Sequence, residues 1–330
     1  MKTSLCYERE FELIRKLLVE SKSFLSIAHP YCDGDALGSQ LALHNYCVSH
    51  GKKSVPLNFE PIPIYLQWVQ GVEDLKDTLS DDEFFDVIFL MEPTDISRLG
   101  DRVKFFKRAR KIVHLDHHLN LKGAGDINVI DSSASSTCEI LYEIFDGLNE
   151  KLDQGTLHSL YLGIMTDTGN FRFPNTSRKT HEIAGSLIER GVDPSRCFKL
   201  VYEANSFPRV VLHGLVMSRA KMSHNEKVIH SCLFQKDFDD LGASEVESDG
   251  AINNLTTITG TEVAVLFREK PNDEIKVSFR SAGKVDVQRI SSIFGGGGHK
   301  LASGANIKGE MTYAINLAMT EIEKALNYGS

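Results

Sequence analysis

Apolar positions along the chain fall into two kinds of run. Residues 11–20 carry Phe11, Leu13, Ile14, Leu17 and Leu18 at helical spacing. Phe24-Leu25-Ser26-Ile27-Ala28 is a short apolar run of strand type, followed by a polar loop from His29 to Asp35. A helix over roughly 36–49 then ends at Gly51. The strand–loop–helix order recurs, with strands at 55–58, 86–91, 111–115 and 127–130 and helices near 135–146, 154–165 and 178–190. Short apolar strands alternating with helices predict a mostly parallel sheet covered on both faces. Such sheets bind ligands beyond the carboxyl ends of their strands. The polar clusters at 29–35, 92–95 and 116–118 each follow a predicted strand, so this sheet would gather them at one edge.

Gly191-Val192-Asp193-Pro194 breaks the pattern. Two helices, near 195–204 and 208–221 with Phe207-Pro208 as their joint, read as a connector. Strand-like runs follow at 227–235, 261–268 and 275–281, then a helix near 286–293, a glycine run from Gly295 to Gly298 ending at His299, a strand at 303–307 and a helix at 312–327. The expected fold class is α/β: a catalytic domain over 1–190 built on a parallel sheet, a helical linker over 191–221, and a smaller α+β substrate-binding domain over 222–330.

Composition sharpens this picture in three ways. With 330 residues, 42% hydrophobic and 25% charged, the chain can fill two cores without staples. Its six cysteines, at 6, 32, 47, 138, 197 and 232, form no CxxC pair and read as reduced thiols. No run approaches the roughly 20 apolar residues of a membrane span, and Met1 to Cys6 lead into Tyr7-Glu8-Arg9-Glu10 without an apolar leader, so a cytoplasmic protein is expected. A net charge of −8 favours small substrates over long nucleic acid, which is gripped by basic faces.

His29-Pro30-Tyr31-Cys32-Asp33-Gly34-Asp35 puts an imidazole and two carboxylates in one loop, with Gly34 allowing a tight bend. Asp116-His117-His118 adds two imidazoles and a carboxylate, and Asp167 adds another at a helix end. Each cluster alone has an ordinary reading as a turn, a surface loop or a helix terminus. Their convergence on one sheet edge is what points to metal binding. Mixed His and Asp ligands suit Mn²⁺ and similar ions better than Ca²⁺ or structural zinc, and two ions about 3.5–4 Å apart can clamp a phosphoryl group. The glycines before His299 read either as an anion-binding nest of backbone N–H groups or as a flexible turn; no GK[ST] follows to make a P-loop. The remaining histidines, among them His114, carry no motif and read as structural or surface residues, with His114 on the strand before Asp116.

HPYCDGDALGS, HLDHH, GIMTDTGNF and GGGGHKLASG, in this order, resemble the DHH–DHHA1 phosphoesterases, and the layout is closest to their nanoRNase/pAp-phosphatase branch. The resemblance implies two Mn²⁺ ions, with Mg²⁺ or Co²⁺ as substitutes. His29 and Asp33 would hold one, and Asp35, His117 and Asp167 the other. His118 would contact the scissile phosphate while Asp116 orients an imidazole. Glu92 stands where the family has its bridging aspartate, and Cys32 where it often has proline. Asp95 is expected to cap a helix. Arg280, Ser281, Gly296, Gly297, Gly298 and His299 would grip the far phosphate. The implied activity is Mn-dependent hydrolysis of very short oligonucleotides to mononucleotides, with 3′-phosphatase action on pAp. A cyclic-dinucleotide phosphodiesterase is one alternative. A nucleotide-binding protein impaired by Glu92 is another. A short oligonucleotide or nucleotide is the expected partner, with no long duplex, no membrane, and a homodimer allowed.

Overall fold

A computed structural model describes residues 7–29, 32–80, 82–93, 96–118 and 121–328, without the side chains of 96–98 and 328. Cys6, Pro30, Tyr31 and the expected helix cap Asp95 lie outside the described residues. The chain divides into two compact units, Met1–Ala204 and Asn205–Ser330.

The first unit holds five strands: β1 (Ser23–Ala28), β2 (Lys53–Leu57), β3 (Phe85–Met91), β4 (Ala109–Asp116) and β5 (Ile127–Ile130). They pair in parallel throughout, in the order β2-β1-β3-β4-β5. From β1 the chain turns to one side to form β2, then crosses back to place β3 on the other side. A crevice therefore opens at the carboxyl ends of β1 and β3.

Strand alternation divides the apolar residues between two faces. Phe24, Val87, Phe89 and Leu115 pack into the cluster formed with α1 (Glu8–Glu20), α2 (Gly34–Ser49), α3 (Thr137–Asp146), α4 (Gln154–Asp167) and α5 (Arg178–Glu189). Leu25, Ile27, Ile88 and Leu90 face the other way, toward Leu99 and Phe105. Each fully buried side chain of this size contributes about 1.5–3 kcal/mol. The second face is thus covered, as the strand pattern predicts, but by a 3₁₀ segment, Ile96–Arg108, kinked at Gly100 (φ 52°), rather than by an α-helix.

The α2 and α4 helices approach closely through glycines. A Cβ on Gly34 would lie 2.2 Å from Thr166 Oγ1, one on Gly38 2.6 Å from the Ser159 carbonyl, and one on Gly163 2.5 Å from Asp35 Oδ1. This contact brings the carboxyl end of α4, and Asp167 with it, to the amino end of α2. The caps fix those ends: Asp33 accepts from Asp35 N and Ala36 N, and Ser136 accepts from Glu139 N at the start of α3.

The expected linker contributes α6 (Pro194–Tyr202) to the first unit and α7 (Phe207–Ser218) to the second. Ser206 caps α7, and Pro208 sits in its first turn, where a missing N–H costs nothing. The second unit has a six-stranded sheet in the order β10-β11-β9-β8-β7-β6. Its strands are β6 (Lys221–Ser223), β7 (Val228–Leu233), β8 (Val263–Lys270), β9 (Glu274–Ser281), β10 (Gly297–His299) and β11 (Ala302–Lys308), and only the β7–β8 pair is parallel. Val265, Phe267, Val277 and Phe279 form a core with α10 (Val287–Ile293) and α11 (Met311–Tyr328). Short elements that the periodicity did not reveal complete the unit: β6, β10, α8 (Gln235–Leu241) and α9 (Ala251–Leu255). Among the described residues, no helix is long and apolar enough to cross a membrane.

Candidate active site

Three strands of the first sheet deliver the polar clusters. β1 ends at Ala28, and His29 follows at once. Its Nε2 lies 3.5 Å from Asp33 Oδ2 and 3.7 Å from Glu92 Oε2. Glu92 follows β3 and donates its N–H to the Leu115 carbonyl (3.0 Å), extending the ladder by one residue. It then adopts a left-handed conformation at φ 50° before Pro93, which costs a non-glycine residue on the order of 1–2 kcal/mol. Strain of this kind persists where surrounding structure holds it, and it collects at functional sites.

Asp35 is buried in the first turn of α2. Both of its oxygens are fixed by the amino end of α3: Thr137 N–H donates to Oδ2 (2.7 Å) and Cys138 N–H to Oδ1 (3.0 Å). His117, just past β4, lies with its Nε2 3.4 Å from Asp167 Oδ2 and 3.9 Å from Asp35 Oδ2. Ligand atoms of three groups fall within 4.8 Å of one another: His29, Asp33 and Glu92; Asp35, His117 and Asp167; and Glu92, His117 and His118. Glu92 takes part in two of them. The five residues expected to bind metal, and Glu92 with them, are brought together.

The electrostatics show what this cluster lacks. Burial, then the charges of Asp35 and Asp33, push Glu92 well above the usual carboxyl range. The same causes raise Asp167 to about 8. Glu92 Oε1 and His117 Nε2 are buried with no hydrogen-bond partner among the described residues. Crowded carboxylates and orphaned donor atoms are costly unless something satisfies them. A divalent cation would do both, and imidazole and carboxylate are ordinary ligands for one. Cys32 joins none of these groups, and burial, with Asp33 and Glu60, pushes its thiol up to about 12.

Asp116 is fully buried at the end of β4. Burial alone would raise it, but the nearby His114 imidazole (Nε2 3.6 Å from Oδ2) and hydrogen bonds from the His118 side chain and backbone outweigh that and hold it ionised. Its Oδ1 accepts from His118 N and faces His118 Nδ1, both at 2.8 Å. That contact raises the imidazole pKa of His118, against the opposing effect of burial. His118 is thus anchored through Nδ1. The His114 contribution was not foreseen, since a lone strand histidine carries no sequence signal.

In the second unit, register aligns His299 with Ala302, Ala302 with Arg280, and Arg280 with Ala264. His299 and Arg280 therefore share one face, two strands apart, at about 10 Å between Cα atoms. Ala302 lies between them, and Ala264, on the far side of Arg280, is buried against α7 and α9. Two expected partners fall elsewhere. Ser281 takes the opposite face of β9, and its hydroxyl accepts from Gly283 N (3.0 Å). The glycine run is no simple nest: Gly295 N donates to Ser292 O and Gly296 N to Ser291 O, closing α10, while Gly297 and Gly298 enter β10. The glycines are there for close approach. A Cβ on Gly296 would lie 2.2 Å from the Gly304 carbonyl, and one on Gly298 2.6 Å from the Ala302 carbonyl.

An open parallel sheet whose switch point gathers histidines and underpaired carboxylates defines an α/β protein with a metal-dependent hydrolytic centre. Residues 23–164 match the DHH family, N-terminal domain, and residues 225–327 match the DHHA1 domain. The chain is 31% identical over 303 residues to the bifunctional oligoribonuclease and PAP phosphatase NrnA of Bacillus subtilis (strain 168), covering 90% of this chain and 92% of that protein. It is 29% identical over 306 residues to the protein of the same name from Thermus thermophilus, covering 92% and 90%. A crystal structure of an exopolyphosphatase-related protein from Bacteroides fragilis superposes with a TM-score of 0.86 at 25% identity, covering 96% of each chain. The chain belongs to the DHH family of phosphoesterases.

Proposed function

We propose that this protein hydrolyses very short oligonucleotides to mononucleotides, with 3′-phosphatase action on pAp, using two Mn²⁺ ions. The observation that carries the reading is the convergence of His29, Asp33, Asp35, Glu92, His117 and Asp167, with Glu92 Oε1 and His117 Nε2 buried and without a hydrogen-bond partner among the described residues. Similarity to the two NrnA proteins over nine-tenths of the chain supports the substrate class.

His29 and Asp33 would hold one ion and Asp35, His117 and Asp167 the other, with Glu92 placed beside both sets. When bound, the ions supply Lewis-acid stabilisation of the phosphoryl oxygens and activation of water, and Mg²⁺ or Co²⁺ can substitute. Asp116 keeps His118 oriented, and His118 Nε2 donates to a phosphate oxygen as charge develops there. Arg280 and His299 bind the non-reacting phosphate of the substrate. A grip on one end adds a fixed binding contribution and favours short chains. The acidic balance of the chain agrees with a small substrate rather than a duplex. Thiols at every described cysteine fit a cytoplasmic setting.

A chain-length series tests the substrate class. Oligoadenylates of two to about ten nucleotides, pAp and cyclic di-AMP are compared by kcat/KM in Mn²⁺. The reading requires the shortest linear substrates to lead; a preference for the cyclic dinucleotide or for the longest chain contradicts it.

A further inference from the structure

We infer that His114 is a positioning residue, locked by the backbone in one tautomer so that its Nε2–H steers Asp116 and, through it, His118. This rests on the reading that His118 acts on the phosphate. His114 and Asp116 lie two apart on β4 and so share a face. His114 is 2% exposed and Asp116 0%. The Ala124 N–H donates to His114 Nδ1 at 3.3 Å, so that nitrogen is the acceptor and the proton of the neutral ring sits on Nε2. His114 Nε2 has no hydrogen-bond partner among the described residues and lies 3.6 Å from Asp116 Oδ2. The other oxygen, Oδ1, is the one engaged by His118. The carboxylate is thus flanked by an imidazole on each side, one buried and one facing the chemistry.

The N–H that sets the tautomer is held firmly. Asn128 clasps Gly125 on both sides: Gly125 N donates to Asn128 Oδ1 (2.9 Å) and Asn128 Nδ2 donates to Gly125 O (2.8 Å). Asp126 fastens the same turn to β4, with its N–H on Ile112 O (2.8 Å) and its Oδ2 accepting from Ile112 N (2.8 Å). A Cβ on Gly125 would lie 2.7 Å from the Ile112 carbonyl and 3.1 Å from His114 N, so the turn reaches the strand because residue 125 has no side chain. Gly123 is equally confined, its Cβ position lying 2.4 Å from the Asn128 side chain. A histidine kept for packing alone would not need this clasp around its Nδ1 partner.

Two measurements test the assignment. The first is ¹⁵N NMR of the histidines in the metal-free wild type, with His114 assigned by its loss in His114→Gln. The Nε2–H tautomer of His114 and Nδ1 protonation of His118 are expected; an Nδ1–H tautomer of His114 overturns the inference. The second compares His114→Leu with His114→Gln, whose amide can both accept from Ala124 and donate to Asp116. His114→Leu should lower kcat about 10-fold, the lower end of what loss of a supporting partner costs, with KM and bound metal within about twofold of wild type, and His114→Gln should restore most of the loss. Unchanged kcat in His114→Leu, or equal losses in both variants, overturns it. A wild type without phosphoesterase activity would count against the functional reading instead, and the tautomer measurement would still decide the role of His114.

Discussion

Glu92 Oε2 lies 3.7 Å from His29 Nε2, a contact between the first residues beyond two adjacent parallel strands. It exists because β1 and β3 are neighbours at the point where the strand order reverses. Glu92 reaches it from a left-handed backbone, which aspartate tolerates better than glutamate. Glu92→Asp should therefore relieve local strain while retaining the charge, and kcat/KM should stay at or above the wild-type value. A loss of more than about 10-fold would show that the surrounding residues have adapted to the longer side chain.

His117, like Glu92, is shared by two of the three candidate groups, and its Nε2 has no hydrogen-bond partner among the described residues. His117→Ala should remove at least one bound ion per chain and lower kcat by more than about 100-fold, since even residues that merely support a metal ligand cost 10–100-fold. Metal content by elemental analysis and a melting curve, read beside the rate, separate loss of the ion from loss of the fold.

Much of this was legible in the sequence. The 2.0 and 3.6 periodicities outlined the parallel sheet and its helices, and the switch point then dictated that residues 29–35, 92 and 116–118 meet. What escaped were features set by contacts distant in sequence or by very short elements. The 3₁₀ cover over 96–108 has no long apolar stripe, and β10 spans Gly297–His299 alone. Ser281 looked like a neighbour of Arg280, but strand alternation sends consecutive residues to opposite faces. The glycines at 295–298 advertised close approach without saying to what; two of them close a helix and two enter a strand. His114 needed the fold, because its partner Ala124 belongs to a turn ten residues on.

Arg280 and His299 stand on one face of the second sheet. Arg280→Ala should raise KM for a 5′-phosphorylated dinucleotide about 10-fold with kcat little changed, the signature of binding that is equal in ground and transition states. The same substitution should matter far less for the dinucleotide without its terminal phosphate. Equal effects on both substrates would remove Arg280 from phosphate binding.

Asp86 ties the amino end of β3 to β1. Its Oδ2 accepts from Lys22 N (2.9 Å) and from Ser23 N (3.1 Å) and Oγ (3.2 Å). The Lys22 hydrogen bond leads the causes that hold this carboxyl below its usual value. A depressed carboxyl stabilises the fold above the unfolded pKa of about 3.9 and loses that contribution as pH falls through the folded value. Asp86→Asn should cost about 1 kcal/mol at pH 7, in line with charge-assisted bonds at a partly exposed site, and the difference from wild type should vanish toward pH 2. A difference independent of pH would show that packing, not charge, is what Asp86 supplies.

The central claim is tested most directly by incubating the purified chain with 5′-phosphorylated diadenylate, in Mn²⁺ and in EDTA, and measuring AMP release. The account predicts AMP in Mn²⁺ and none in EDTA. A folded protein that binds Mn²⁺ yet releases no AMP, or one that releases it equally in EDTA, contradicts it.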